Sequence, residues 1–599
     1  MPSTIRLLGG LLLFAAALSA NQVSGELKQW HNVTVTFDGP KVCEKSNPNP
    51  FLFYRLNVTF THGGTRYVVP GYFAADGNAA NTSAECGDKW RVHFVPDQTG
   101  AWTYRASFRR GPEVAVSLDA GAGTPDSFDG AGGTFEVAPT DKTGRDHRAK
   151  GMLQYVGEHH LRYAGTGEYF IQVGTQSPEN FLAYHEFDNT EDHGGAANRL
   201  QDGLHRFEPH RKDWRESDPT WKGDRGKGII GALNYLAAKG MNTFYTLTMN
   251  VEGDGREIYP WINYSHRVRY DVSKLTQWEI VFSHMDRLGL QVQIITQEEE
   301  NEEFLGKLGT ERKLYYRELV ARFAHHHGIL WDLDEEMDRW DYFTTSDIQE
   351  MCTYLKAVDP YRHPIQYVQW KAELMTDDRT YGRLLGFPYF DGTALQHDLG
   401  NSHSETIKWR DRSARAGHKW LAGIIEINPN STGVLPDEND YWHDAIRKTA
   451  VWGNLMAGGS GTIFFFGYKY PHSDLDCEDW RSRDHLWDLM RYGHEFFTRR
   501  LPFHQMDHHD ELTPAPDDYV FAKPGEVYAI YLPNGGSAEL DLTGVEGTFE
   551  VQWYDPRFGG ELQDGTVRSV AGGGLRSVGA APNERAQDWA VLVRRVSGR

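Results

Sequence analysis

The sequence predicts a multidomain chain in which a central (β/α)8 TIM barrel is flanked by an N-terminal Ig-like β-sandwich and a C-terminal β-sandwich. Three observations carry this reading. Short apolar runs alternate with helix-like segments through the middle of the chain. Strands broken by Gly, Pro and Asp fill both ends. The 599 residues allow about three or four domains at roughly 150 residues each.

The barrel, residues 150–500, is read from eight apolar runs of the kind that form strands buried on both faces. They span 169–173 (YFIQV), 243–249, 292–296, 329–333, 364–368, 392–396, 420–426 and 462–468. Helical segments lie between them. Ile229, Ile230, Leu233 and Leu236 share one face of 228–240, and Leu275, Trp278, Phe282 and Met285 share one face of 271–289. Both segments end in Gly, a usual C-cap. Strand alternating with helix implies right-handed βαβ units, and eight of them imply a closed barrel.

Residues 26–140 read as the first sandwich. Segments such as NVTVTFDGP, FYRLNVTFTHGG and AWTYRASFRRG alternate apolar and polar positions between turn residues. A Gly/Asp-rich break covers 119–133, and EVAPTD beyond it still fits the sandwich. Residues 505–599 return to strand and turn and read as the second sandwich.

At the N-terminus, Arg6 precedes an apolar run from Leu7 to Leu18 and then small residues. Residues 1–25 are therefore expected to be a secretory signal peptide, cut between Ser19 and Gly25. No later stretch reaches the roughly 18 apolar residues of a membrane span. The mature protein is expected to be secreted, or periplasmic in a Gram-negative host, with no membrane partner. Sequons at Asn32, Asn57, Asn81, Asn263 and Asn430 would carry glycans only in a eukaryotic host. Cys43 and Cys86 fall in one small region, so a disulfide and two buried thiols both remain open. The net charge of −21 weighs against a nucleic-acid partner. The 18 Trp and 29 Tyr suit sugar stacking and ordinary cores alike.

Barrel active sites sit at the C-terminal ends of the strands. Strand three runs into Glu298, Glu299 and Glu300, and strand four into Asp334, Glu335 and Glu336. Strand six ends at Gln396 and His397, strand seven at Glu426, Asn428 and Asn430, and strand eight leads to Tyr468. Two carboxylates across a cleft can hydrolyse a glycosidic bond, one protonating the leaving oxygen and one attacking carbon or activating water. The Glu298–Glu300 run fits a helix N-terminal turn as well as it fits a cleft. No His at helical spacing joins these acids, so no metal is expected. His325, His326 and His327 precede strand four, at the opposite end, and read as packing or surface residues. GDRGKG (223–228) lacks the Walker frame, and no G-x-S-x-G elbow favours a serine hydrolase.

The segment Trp331-Asp332-Leu333-Asp334-Glu335-Glu336 resembles the W-x-x-x-N-E pattern of clan A glycoside hydrolases. That resemblance implies Glu336 as acid/base and Glu426 as nucleophile, with Glu335 a rival where the clan has Asn. Longer matches include NPFLFYRLNVTF, SPENFLAY, GALNYLAAKGMN, WGNLMAGGSG, FFGYKYPHSDLDCEDWRSRD and WYDPRFGG. Together they resemble secreted proteins with an N-terminal β-sandwich of unknown function, an apiosidase-like barrel and a C-terminal domain described as collagen-binding. The resemblance implies an exported hydrolase of complex polysaccharides with no cofactor. It also implies substrate-side roles for Glu179, Asn180, Asn250, Glu298, Glu300 and Gln396. Asp334, Met337, Ile425 and Ile463 depart from the family pattern. That leaves a non-catalytic glycan- or matrix-binding protein with a degenerate barrel as the alternative, and a polysaccharide lyase as a distant third.

Overall fold

The computed structural model describes residues 21–195, 203–371, 376 and 378–596. Most of the expected signal segment lies outside them. The N-terminal region holds β1 (Gln22–Gly25), β2 (Val33–Cys43), β3 (Tyr54–His62), β4 (Thr65–Phe73), β5 (Cys86–Phe94), β6 (Gly100–Arg110), β7 (Thr124–Pro125) and β8 (Gly132–Val137). The strands pair in the order β1-β2-β5-β4-β3-β6-β7, with β8 also on β6. β4 makes the corner, because Thr65–Gly71 pair with β3 while Tyr72 and Phe73 pair with β5. The fold-over brings alternate apolar residues face to face, with Phe60 and Phe94 stacked at 4.1 Å. Cys43 and Cys86 are bridged, joining β2 to β5.

One boundary moves. β1 pairs antiparallel with Val33–Thr36, so the sheet begins at Gln22, inside the segment expected to be cleaved. Small residues mark a cleavage region only broadly, and the pairing of this edge strand left no sequence signal.

In the central region, a small antiparallel sheet of β9 (Leu153–Gln154), β10 (Leu161–Tyr163) and β11 (Tyr169–Phe170) precedes the barrel. The barrel strands are β12 (Gln172–Thr175), β13 (Thr243–Leu247), β14 (Gln291–Ile295), β15 (Ile329–Asp332), β16 (Ile365–Gln366), β17 (Gly392–Asp398), β18 (Leu421–Asn428) and β19 (Gly461–Phe464). The 8-stranded ladder is parallel and runs β16-β15-β14-β13-β12-β19-β18-β17. Among the described residues its ends meet at one parallel bridge, Val368 with Ala394, so the barrel is nearly closed. The run at 169–173 straddles two sheets, because Tyr169 and Phe170 pair antiparallel with β10 and only Gln172 onward joins the barrel.

Helices Lys227–Ala238, Val272–Leu288, Thr310–Phe323, Thr345–Val358, Ser402–Arg415 and Asp484–Arg500 lie between or after these strands. Local chemistry sets their ends. Asp271 accepts from the Lys274 N–H, Gly289 closes the same helix at φ 66°, and Thr344 and Asp347 form a capping box. The barrel interior is partly polar. Gln172 donates to Gln291 at 2.6 Å, and Asp332 accepts from Gln293 at 3.1 Å and Gln366 at 3.2 Å. Burial raises the Asp332 carboxyl to about 7 despite those donors.

The N-terminal sheets lie against helix Thr310–Phe323, where Arg317 donates to the Leu56 carbonyl at 2.8 Å. His325, His326 and His327 are all buried at this junction, which corrects the surface half of the earlier expectation. His326 lies between Glu279 at 3.0 Å and Asp286 at 2.8 Å. These two carboxylates outweigh its burial and raise the imidazole to about 10.

The C-terminal region holds β20 (Asp507–His508), β21 (Tyr519–Lys523), β22 (Val527–Leu532), β23 (Ser537–Asp541), β24 (Thr548–Tyr554), β25 (Ser569–Ala571), β26 (Leu575–Ala580) and β27 (Trp589–Arg595). A sheet in the order β20-β21-β22-β27-β24-β25 faces the β23–β26 pair across a core that includes Trp553, Trp589 and Leu540. Trp452 of the barrel region stacks on Tyr531 at 4.7 Å. Beside it Arg447 forks onto Asp588, with Nε at 3.0 Å and Nη2 at 2.8 Å. Among the described residues no helix is long and apolar enough to cross a membrane.

Candidate active site

A cleft of about 230 Å³ opens at the C-terminal ends of the barrel strands. Its described lining includes Glu179, Asp254, Glu298, Glu299, Glu300, Glu335, Glu336 and Glu426 as acids, with Arg339 and Lys371 as cations. Trp370, Asn430, Phe465 and Tyr468 complete it. The three expected catalytic candidates therefore converge on one cavity.

Glu335 follows β15 and is fixed on both oxygens. Gln176 donates to Oε1 at 2.9 Å and Tyr245 to Oε2 at 2.6 Å. Its backbone bridges to Glu298, which sets the strand-three and strand-four acids side by side. Burial raises its carboxyl, the Tyr245 hydroxyl opposes that, and the charge on Glu426 adds to it.

Glu336 adopts φ 59°, a left-handed conformation that costs a β-carbon-bearing residue roughly 1–3 kcal/mol. Gln396 donates to Glu336 Oε1 at 2.9 Å, and Arg339 lies 3.2 Å from Oε2. Gln396 is aimed by an irregularity in the β17–β18 ladder between Leu395 and Gln396, as bulges at functional sites commonly do. The same register sets Gln396 opposite Glu426.

Glu426 is buried and pushed up to about 8, by burial first and by the charge on Glu336 next. The Gln396 amide and Lys371 act in the other direction. Glu336 is raised by burial too, with Gln396 and Arg339 holding it down. The two groups thus share one amide and repel each other, and they titrate as a pair.

Glu179, Glu298 and Glu300 line the cleft as the resemblance implied. Asn180 does not; its amide is held between Glu257 at 2.7 Å and His205 at 2.7 Å behind the wall. Asn250 lies with its backbone bonded to Ile258 and its carbonyl 3.5 Å from the Asn301 amide, also outside the lining. Gln396 acts on Glu336 rather than on the open space. Of the family departures, Asp334 turns toward Gln297 and away from the cleft. Met337, Ile425 and Ile463 are buried apolar residues.

Sequence reading missed Asp254, Arg339, Trp370 and Lys371, all on loops. It also missed Tyr245 and Asp474, whose charge raises both Glu179 and Glu335. Tyr245 sits mid-strand in an apolar run and looked like core. Arg339 follows Glu336 by three residues, a spacing that could have signalled an ion pair.

Two family models match parts of the chain. One is a domain of unknown function, DUF5060, over residues 26–109. The other is described as "Putative collagen-binding domain of a collagenase" and covers residues 510–594. Comparison with curated proteins gives no match. A solved structure described as a "putative glycoside hydrolase" from Bacteroides vulgatus ATCC 8482 is 16% identical, with a TM-score of 0.60 over 95% of this chain and 99% of that one. A second, described as a glycoside hydrolase, is 14% identical with a TM-score of 0.54, over 76% of this chain and 100% of that one. A glycoside hydrolase family 5 protein, also from Bacteroides vulgatus ATCC 8482, is 13% identical with a TM-score of 0.52, over 76% and 95%. At these identities the likeness is one of fold, and it places this chain's architecture among those of glycoside hydrolases.

Proposed function

We propose that the protein is a glycoside hydrolase of clan A type, acting on a polysaccharide through Glu336 and Glu426 with retention of configuration. The observation that carries this is the carboxylate pair that shares Gln396 at the strand ends of the barrel. Position supports Glu336, after the fourth strand, as acid/base and Glu426, on the seventh, as nucleophile. The working form then has the proton on Glu336 and the charge on Glu426. Burial raises both carboxyls, and Gln396 and Arg339 oppose it at Glu336. A substrate that screens Arg339 from Glu336 favours the proton on Glu336, where it is used. Glu335, held by Tyr245 and Gln176, positions sugar hydroxyls beside the pair. In this reading the central region is a (β/α)8 catalytic domain over 150–500, and residues 26–140 and 505–599 are accessory domains. The chain is exported, with the mature protein beginning between Ser19 and Asn21 so that β1 is kept.

Release of reducing sugar from a panel of plant, algal and animal polysaccharides tests this, with Glu336→Gln and Glu426→Gln beside the natural protein. Loss in both variants is expected, by at least 100-fold. Azide should restore turnover to Glu426→Gly as a glycosyl azide of inverted configuration. Activity that survives Glu336→Gln but vanishes in Glu335→Gln would transfer the acid/base role by one residue. No release from any substrate would overturn the proposal.

A further inference from the structure

The cleft is built for positive charge. Eight of its lining side chains are carboxyl groups against two cations among the described residues; burial first and mutual repulsion next raise most of them, Glu179 and Glu298 included, and an entering cation would favour their ionised forms. Most of the acids nevertheless have partners. Tyr245 and Gln176 serve Glu335, Gln396 serves Glu336, and Tyr468 donates to Asp254 at 2.7 Å. Arg339 contacts Glu299 and Glu336 and lies 3.7 Å from Glu300 Oε1.

What is left over is localised. Glu298 Oε2, Glu300 Oε2 and Glu179 Oε1 are buried without a hydrogen-bond partner among the described residues. Glu298 and Glu179 are only 5% and 2% exposed. The Glu298 and Glu300 oxygens converge beside Gly253. A β-carbon there would lie 3.0 Å from Glu300 Oε2 and 3.2 Å from Glu298 Oε2, so the glycine is what leaves them uncovered. Oxygens of Glu298, Glu299 and Glu300 lie within 4.8 Å of one another. An ammonium forms N–H···O bonds of about 2.8 Å, so one nitrogen spans two acceptors up to roughly 5.6 Å apart.

We propose that the cleft takes a glycan bearing protonated amines, an amino sugar with its nitrogen unacylated, and that Glu298 and Glu300 hold the ammonium. This rests on the hydrolase reading for the kind of ligand alone. The ammonium supplies both the missing donors and a charge beside which these buried carboxyls ionise. The same field repels uronate and sulfate groups.

Three oligosaccharide series with one backbone and different substituents at C2 test this on the full chain. They carry a free amine (glucosamine oligomers), an acetamide (N-acetylglucosamine oligomers) or a hydroxyl (cello-oligomers). Binding is measured by calorimetry at pH 6, where an aliphatic amine of this kind is charged. The amine series should bind at least 10-fold tighter than the other two, with a preference that falls as salt rises. Glu298→Gln and Glu300→Gln should each reduce that preference about 10-fold, while far-ultraviolet dichroism reports the fold. Equal binding of the three series, or binding of none, would overturn the proposal. So would a calcium-induced rise in melting temperature lost in Glu298→Gln without any amine preference, which would assign the pair to a metal ion. Amine oligomers that bind but are never cut would leave this inference standing and sink the hydrolase reading. Cleavage of neutral oligomers without amine preference would do the reverse.

Discussion

Replacing Arg447 by Met should loosen the C-terminal domain from the barrel. Arg447 and Asp588 are both fully buried, and Asp588 accepts two bonds from Arg447 and one from Tyr531 at 2.8 Å. The single substitution leaves a buried carboxylate with one donor, a cost of about 3–5 kcal/mol. Pairing it with Asp588→Asn removes the stranded charge and keeps an acceptor for Tyr531, so the double variant should recover most of the loss. Hydrogen exchange read by mass spectrometry follows this directly. Amides of β22 and β27 that open through undocking should exchange about 10²–10³-fold faster in the single variant, since about 1.4 kcal/mol is a factor of ten. Barrel amides such as those of β13 should hardly change. An acceleration below fivefold, or one spread evenly over the chain, would refute the reasoning. So would a double variant no more stable than the single one.

Two further expectations concern carboxylates. Gln396→Leu removes a donor that lowers both Glu336 and Glu426. The group that must be ionised then holds its proton to higher pH, so the acid limb of kcat/KM should move up by about one pH unit on whichever glycan is cleaved. An unmoved limb would mean that the amide does not set the pair. Glu44, buried where it accepts from the Val272 N–H at 2.7 Å, is raised to about 8 by burial and by Asp271. A raised carboxyl favours the folded state fully below its unfolded value near 4.5 and loses that advantage as pH climbs to 8. Glu44→Gln should therefore lose roughly 2–4 kcal/mol less stability between pH 5 and 8 than the natural chain, read by denaturant unfolding at both values. An identical loss in the two proteins would remove Glu44 from the account.

Much of the barrel was legible because strands covered on both faces must be apolar throughout, and each of the eight runs contains or overlaps a barrel strand. The first was blurred because Tyr169 and Phe170 are as apolar as the strand they precede, although a turn of the chain sends them to another sheet. Glu335, Glu336 and Glu426 were legible because each stands at or just after the end of an apolar run, and the strand pitch fixes which end of the barrel that is. Asn180 and Asn250, substrate-side residues only by resemblance, lie outside the described lining of the cleft. Asn180 is turned by Glu257 and His205, partners distant in sequence. Arg339, Trp370 and Lys371 reach the cleft on loops, whose paths follow from tertiary packing and leave no periodic signature.

The nearly closed barrel has a further consequence for the wall of the cleft. Between β13 and β14 five residue pairs are in register, whereas among the described residues one ladder bridge, Val368 with Ala394, joins the segment after β16 to β17, beside an Asp391 N–H to Ile365 carbonyl bond at 2.8 Å. Trp370 and Lys371 stand just beyond that thin join, and Gln396 stands on its other side. The strand ladder is therefore thinnest where the cleft wall carries Trp370 and the amide that holds Glu336. Any displacement of this join shifts Trp370 and Gln396 relative to each other, because they stand on its opposite sides.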